Sequence, residues 1–181
     1  MAVLIYSRQR VLLHWFSAVV ILWTLLSGFY VSRDGVSASL KESIGFFNVS
    51  LTTVFIPFFV WRLSLFVSQA RCSGLKSCSW NEVLALLTHV LIYLTVAAVL
   101  LTGVLMMDRP IDVFGVITIA QPLSDPHLIA LSFTAHVWAC LLLALLIALH
   151  VGAVIFHESC NHQVLRRMSL WRCGKQSESQ Q

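Results

Sequence analysis

Four stretches of the chain contain no charged side chain: Val11 to Val31, Ser43 to Trp61, Val83 to Met107 and Leu128 to Phe156. Each is close to or above the ~20 residues that a helix needs to cross ~30 Å of hydrocarbon. Leu, Val, Ile and Phe fill successive positions rather than every second one, so the pattern predicts helices and not a lipid-facing barrel. Pro57 falls inside the second stretch, where a kink is tolerated if neighbouring helices satisfy the freed carbonyl. The expected fold is all-α: one integral membrane four-helix bundle over residues 1–172, followed by a polar, disordered cytoplasmic tail at 173–181. The connections between helices are too short to hold a further domain.

Composition supports this reading. Of 181 residues, 58% are hydrophobic and only 11% charged, against roughly 25% charged in a soluble domain. A water-soluble globule, a disulfide scaffold and a disordered chain are therefore excluded. The formal charge of +4 suggests nucleic acid in a soluble protein, but here the bases lie between apolar stretches and report topology. Arg8, Arg10, Arg62, Arg71, Lys76, Arg166, Arg167, Arg172 and Lys175 flank one side. The other side has Arg33, Lys41 and Arg109, with Asp34, Glu42, Asp108, Asp112 and Asp125. The positive-inside rule puts the first side, with both termini, in the cytoplasm. Lipid is then the expected surroundings and no nucleic-acid partner is expected. The first stretch is too long for a signal-peptide core and is read as retained. Cys72, Cys78, Cys160 and Cys173 face the reducing side and Cys140 lies within the fourth stretch. Structural disulfides are not expected there. No C-x-x-C-H occurs, so haem is not covalently attached.

Ionisable residues within a bilayer are costly and mark function. Four histidines lie at such depth: His14, His89, His136 and His150. Fourteen residues turn through about 1400°, roughly 40° short of four full turns. His136 and His150 therefore share one helix face, ~21 Å apart along the axis. A hydrogen bond to a neighbouring helix accounts for any one of them. Zinc asks for three or four ligands at one depth, and His136 is too far from the rest. Two stacked haems fit better, each needing an axial nitrogen at its own level and an apolar slot. His14, His89 and His150 then compete for two inner positions, with depth slightly favouring His89 over His14. The outer level has His136.

In order along the chain come Tyr6-Ser7, Leu13-His14-Trp15, Leu40-Lys41-Glu42-Ser43-Ile44-Gly45, His89 with Ile92-Tyr93, Val113-Phe114-Gly115, His136-Val137-Trp138, His150 and Leu165-Arg166-Arg167-Met168. This series resembles the bacterial cytochrome b561 family, four-helix quinone-linked cytochromes, over nearly the whole chain. The resemblance implies haem b, an inner iron held by His14 and His150, and a quinone substrate. His89 becomes a supporting or quinone-side residue, with an interhelical hydrogen bond as its plain alternative. Arg10 and Arg62 are candidates for a haem propionate or for a lipid phosphate.

The chain departs from the family at Lys41, where relatives carry the outer histidine that pairs with His136. A neutral lysine ligand, replacement by Met106, Met107 or His127, or an altered or missing outer haem are the three outcomes. A protonated Lys41 is also suited to a propionate or to an anion such as superoxide. The implied function is single-electron transfer between a membrane quinone and a small outer-side donor or acceptor, superoxide oxidation being one concrete form. The rival readings are a haem-bearing anchor for a soluble oxidoreductase and a haem-depleted bundle serving assembly or transport. A homodimer or a soluble redox partner is compatible with each.

Overall fold

The computed structural model describes residues 8–73 and 80–159, without the side chains of 69–82 and 157. Expectations about Tyr6-Ser7, Lys76, Leu165–Met168 and the tail 173–181, and about the side chains of Arg71 and of the cysteines other than Cys140, lie outside what the structure describes. The described chain forms α1 (Arg8–Val31), α2 (Ala38–Ser73), α3 (Trp80–Leu105), β1 (Ile111–Val113), β2 (Ile117–Ile119) and α4 (Pro126–Ser159). All four helices are long and apolar enough to span a membrane. Large apolar side chains line their outsides, with Leu26 70%, Trp138 68% and Phe156 66% exposed. Such surfaces are stable in lipid, not in water.

Local chemistry sets the helix ends. Asp125 caps α4: its Oδ1 accepts the His127 N–H at 2.8 Å and its carbonyl accepts Ile129 N–H at 3.1 Å. Pro126 follows at the first helical position, where no backbone donor is needed. The α1–α2 connection turns through Gly35 at φ +86°. Pro57 lies within α2, which continues through it as one helix.

α1 packs antiparallel on α2, and α3 on α4; α2 and α3 join the two pairs, while the backbones of α1 and α4 at most graze each other. Seven residues advance a helix by ~10 Å, and the side chains fall into layers at that interval. The middle layer is the core: Val20, Phe55, Val96 and Leu143, one from each helix, with Leu25 and Phe59 beside them. One layer toward the N-terminal end stand His14, Arg62, His89 and His150. One layer toward the opposite end stand Ser27, Asn48, Gly103 and His136. These ends are called inner and outer below.

The α3–α4 connection contains an antiparallel hairpin that the apolar runs do not reveal, with Ile111 opposite Ile119 and Val113 opposite Ile117. Its turn holds Phe114 at φ +51° and Gly115 at φ +70°. A positive φ is unusual for Phe, and three contacts hold it. The Phe114 N–H donates to Ser50 Oγ at 3.1 Å, and its ring lies edge-on to Phe46 and Phe47. The fully buried Ser50 hydroxyl donates in turn to the Asp112 carbonyl at 3.1 Å. The hairpin is thus pinned to the outer third of α2.

Candidate functional site

The inner level gathers groups from all four helices. α1 supplies His14, whose Nδ1 is 2.8 Å from an Arg62 guanidinium nitrogen on α2. Arg62 also lies over the Tyr93 ring of α3, 5.3 Å from its centroid. Tyr93 is bracketed by Phe66 at 4.7 Å and Phe59 at 6.1 Å. From α4, His150 meets His89 of α3 edge to face, with ring centroids 5.3 Å apart. His89 Nδ1–H donates to the Ala85 carbonyl one turn back at 2.6 Å. Arg10, one turn before His14, donates to the Leu65 carbonyl at 3.5 Å.

The two ring nitrogens of His136 can be assigned roles. Val99 C=O accepts only, so His136 Nδ1, 3.1 Å from it, carries the proton. The Thr102 hydroxyl hydrogen goes to Ala98 C=O at 2.6 Å, leaving its oxygen to accept the same N–H at 3.2 Å. His136 Nε2 is therefore a lone-pair nitrogen, and Cys140 Sγ lies 3.5 Å from it. Gly103 makes this fit possible: a Cβ there meets His136 Cε1 at 3.2 Å and Nδ1 at 3.4 Å. A carbonyl holding the far nitrogen is the usual support of a metal-binding histidine.

The structure brings four of the seven residues expected at the site to one level, His14, Arg62, His89 and His150, with Arg10 a turn below. His136 stands two layers away, as its spacing predicts. Lys41 does not join it. Lys41 is exposed on the first turn of α2, one layer (~10 Å) beyond Asn48. At the level of His136, α2 instead presents Asn48, which donates to Ser27 Oγ at 2.8 Å. None of the proposed substitutes is a hydrogen-bond partner of His136. Met107 lines a separate outer cavity of about 660 Å³ with Glu42, Phe46, Arg109 and Asp112. His127 is exposed at the start of α4.

Sequence reasoning gives no site role to Cys140, Tyr93 or Gly103. The i, i+4 spacing of His136 and Cys140 was a usable signal, since such residues share a helix face. Tyr93 and Gly103 gave none, because their roles depend on which helix lies opposite.

The inner residues suit a haem. Imidazoles stand on two helices whose backbones do not pack together, above an apolar floor at Phe55 and Leu143 and beside two arginines able to meet acidic groups. His89 and His150 are in direct ring contact, 5.3 Å between centroids, so that pair has no room for a ring between its members. No individual curated protein shows significant similarity to the chain. A family model for prokaryotic cytochrome b561 matches residues 5–170, more than nine-tenths of the sequence. With its four membrane-spanning helices and internal histidines, the chain belongs to the prokaryotic cytochrome b561 family of haem-binding, electron-transferring membrane proteins.

Proposed function

We propose that this bacterial membrane cytochrome holds haem b at its inner level through His14 and His150 and exchanges single electrons with a membrane quinone there. The observation that carries the reading is the placement of these two histidines at one level on α1 and α4, helices without close backbone packing between them. Haem b, when bound, supplies a one-electron iron couple. The chain's part is to fix the ligands, exclude water and meet the acidic edge of the ring. Arg62 and Arg10 are the donors for that edge. His89 is the quinone-side residue; with Nδ1–H committed to Ala85, its Nε2 is the atom able to take or pass a proton.

We assign one bis-histidine haem to the chain. His136 Nε2 faces the Cys140 thiol at 3.5 Å, α2 presents Asn48 rather than a histidine at that level, and Lys41 lies a layer further out. In this reading the protein sits in the inner membrane with both termini cytoplasmic, and the outer face meets the small donor or acceptor. Superoxide is the concrete form the family resemblance implies. That face carries five acidic residues against three basic ones, so attraction of an anion rests on Lys41 locally, not on the overall field.

The test is haem content per polypeptide in detergent-purified protein from haem-supplemented cells, followed by reduction with a quinol. One haem per chain, reduced by quinol, supports the reading. Two haems overturn the one-haem assignment, and a haem inert to quinol overturns the quinone link. Mixing the oxidised protein with superoxide decides the finer form: without reduction of the haem, the outer partner is another molecule.

A further inference from the structure

The hairpin between α3 and α4 lies deeper than a connection between two spans need lie. The core layer of Val20, Phe55, Val96 and Leu143 falls close to the middle of each of the four spans, and so marks the centre of the hydrocarbon. Ser50 precedes Phe55 by five positions on α2, which is ~8 Å toward the outer face. Half of a ~30 Å hydrocarbon layer extends ~15 Å from its centre. The turn bonded to Ser50, Asp112 to Phe114, therefore stands inside the outer half-layer and not in the water above it. Leaving α3 at Leu105, the chain runs back along the first turns of α2, with Met107 to Asp112 facing Ser39 to Val49 across the outer cavity.

We propose that this hairpin is a re-entrant membrane element whose turn and β2 strand are covered by acyl chains of the outer leaflet. Non-helical backbone survives at such depth only where its polar groups are satisfied. At this turn they are. Phe114 N–H goes to Ser50 Oγ, Gly115 N–H to Asp112 Oδ1 at 2.7 Å and Val116 N–H to the Val113 carbonyl at 3.0 Å. The Ser50 hydroxyl covers the Asp112 carbonyl. Three residues rise ~10 Å, so β2 carries its unpaired edge out toward the headgroups. The side chains divide in the same sense. Ile111 and Val113 share one face with their partners Ile119 and Ile117. The β1 half of that face is buried, while among the described residues β2 packs closely only on β1. Val116 is 81% and Ile117 60% exposed. Asp112, on the other face, has the polar company of Glu42 and Arg109 on the cavity wall. The open apolar patch continues the lipid-facing side of α2, since Phe114 lies edge-on to the exposed Phe46 and Phe47. No charged side chain occurs from Val113 to Ser124. Depth favours lipid over a soluble partner, which docks above the membrane surface.

The test uses the full-length, haem-loaded chain in phosphatidylcholine nanodiscs, with its five native cysteines replaced by alanine. A nitroxide is attached in turn to Ile117→Cys, to Leu26→Cys on the lipid-facing side of α1 at a similar depth, and to Ser37→Cys in the exposed α1–α2 connection. Power saturation reads collisions with oxygen, which concentrates in hydrocarbon, and with a neutral nickel chelate, which stays in water. The label at Ile117 should match that at Leu26 within roughly twofold for oxygen, and fall roughly tenfold below that at Ser37 for the chelate, because polar solutes are excluded from hydrocarbon. Chelate collisions as frequent as at Ser37 would put the hairpin in water, and few collisions with either reagent would put protein over it; both results overturn the proposal. Should the cysteine-free chain lack the native helical circular dichroism, the chain with its native cysteines and a benzophenone amino acid in place of Ile117 is irradiated in phosphatidylcholine vesicles. A lipid adduct in the intact mass supports re-entry. A cross-link to a second copy, or no adduct where the same group in place of Leu26 forms one, refutes it.

Discussion

The inner and outer histidine levels stand one layer either side of the Phe55–Leu143 core, yet their surroundings are opposite. At the outer level, His136 is supported by neutral backbone and a small residue: the Val99 carbonyl takes its N–H and Gly103 lets the ring lie against α3. Everything that holds it comes from the α3–α4 pair. At the inner level, four helices contribute, and the polar partner of His14 is a cation from α2. One level is a single oriented nitrogen within a helix pair; the other joins both pairs. The difference teaches that a histidine's depth identifies a candidate ligand, but its hydrogen-bond partner decides which nitrogen is ready for a metal.

The comparison can be broken most directly by removing ligands. His14→Ala or His150→Ala should abolish the low-spin spectrum and reduce haem content more than tenfold, beyond the effect typical of supporting residues. His136→Ala should leave haem content near that of the native protein, and a large loss there would mean that the outer level carries haem after all. Next in size is the partition between the levels. Phe55 is 1% exposed, and Phe55→Ala should cost about 3–5 kcal/mol through the cavity it leaves. Thermal unfolding of the loaded protein in detergent measures this.

Smaller changes sharpen the contrast. Gly103→Ala places a methyl 3.2 Å from His136 Cε1 and should cost about 1–3 kcal/mol by overpacking, with the inner haem spectrum unchanged. A shifted inner spectrum would show that the levels are mechanically coupled. Lys41→Ala should leave the ferric low-spin signal as it was, since Lys41 stands a layer beyond His136; an altered signal would restore it as a ligand. Ser50→Ala removes both hydroxyl bonds that pin the hairpin and should cost about 1–3 kcal/mol, leaving the Phe114 N–H without its partner. Faster proteolysis between residues 111 and 119, with unchanged haem content, is the readout.

Much of this was legible beforehand, because a bilayer leaves a chain few choices. An uncharged stretch of twenty or more residues must satisfy its backbone internally, so Val11–Val31 and the other three stretches could be read as helices. Charge counting marks the uncharged stretch Ser43–Trp61, while α2 as a helix runs from Ala38 to Ser73. Arg62 ends an uncharged run without ending a helix, since arginine is a good helix former and its guanidinium is held by His14 and over the Tyr93 ring. The hairpin escaped notice for another reason. Strands of three residues carry almost no periodicity, and their register is held by Ser50, more than sixty positions away.

For the site, spacing along one helix was sufficient wherever both partners lie on that helix. His136 and His150 could be set on one face two layers apart from the helical repeat alone, and Cys140 could have been added by the same argument. The sequence by itself determined the four apolar helices, the membrane setting, the family and the depth of each candidate histidine, because hydrophobic length and helical period are local properties. Only the tertiary structure decided that Arg62 donates to His14, that His89 leans on His150, and that Asn48 rather than Lys41 is level with His136. Those facts depend on how one helix is registered against another, which packing across the whole bundle fixes and no single segment encodes.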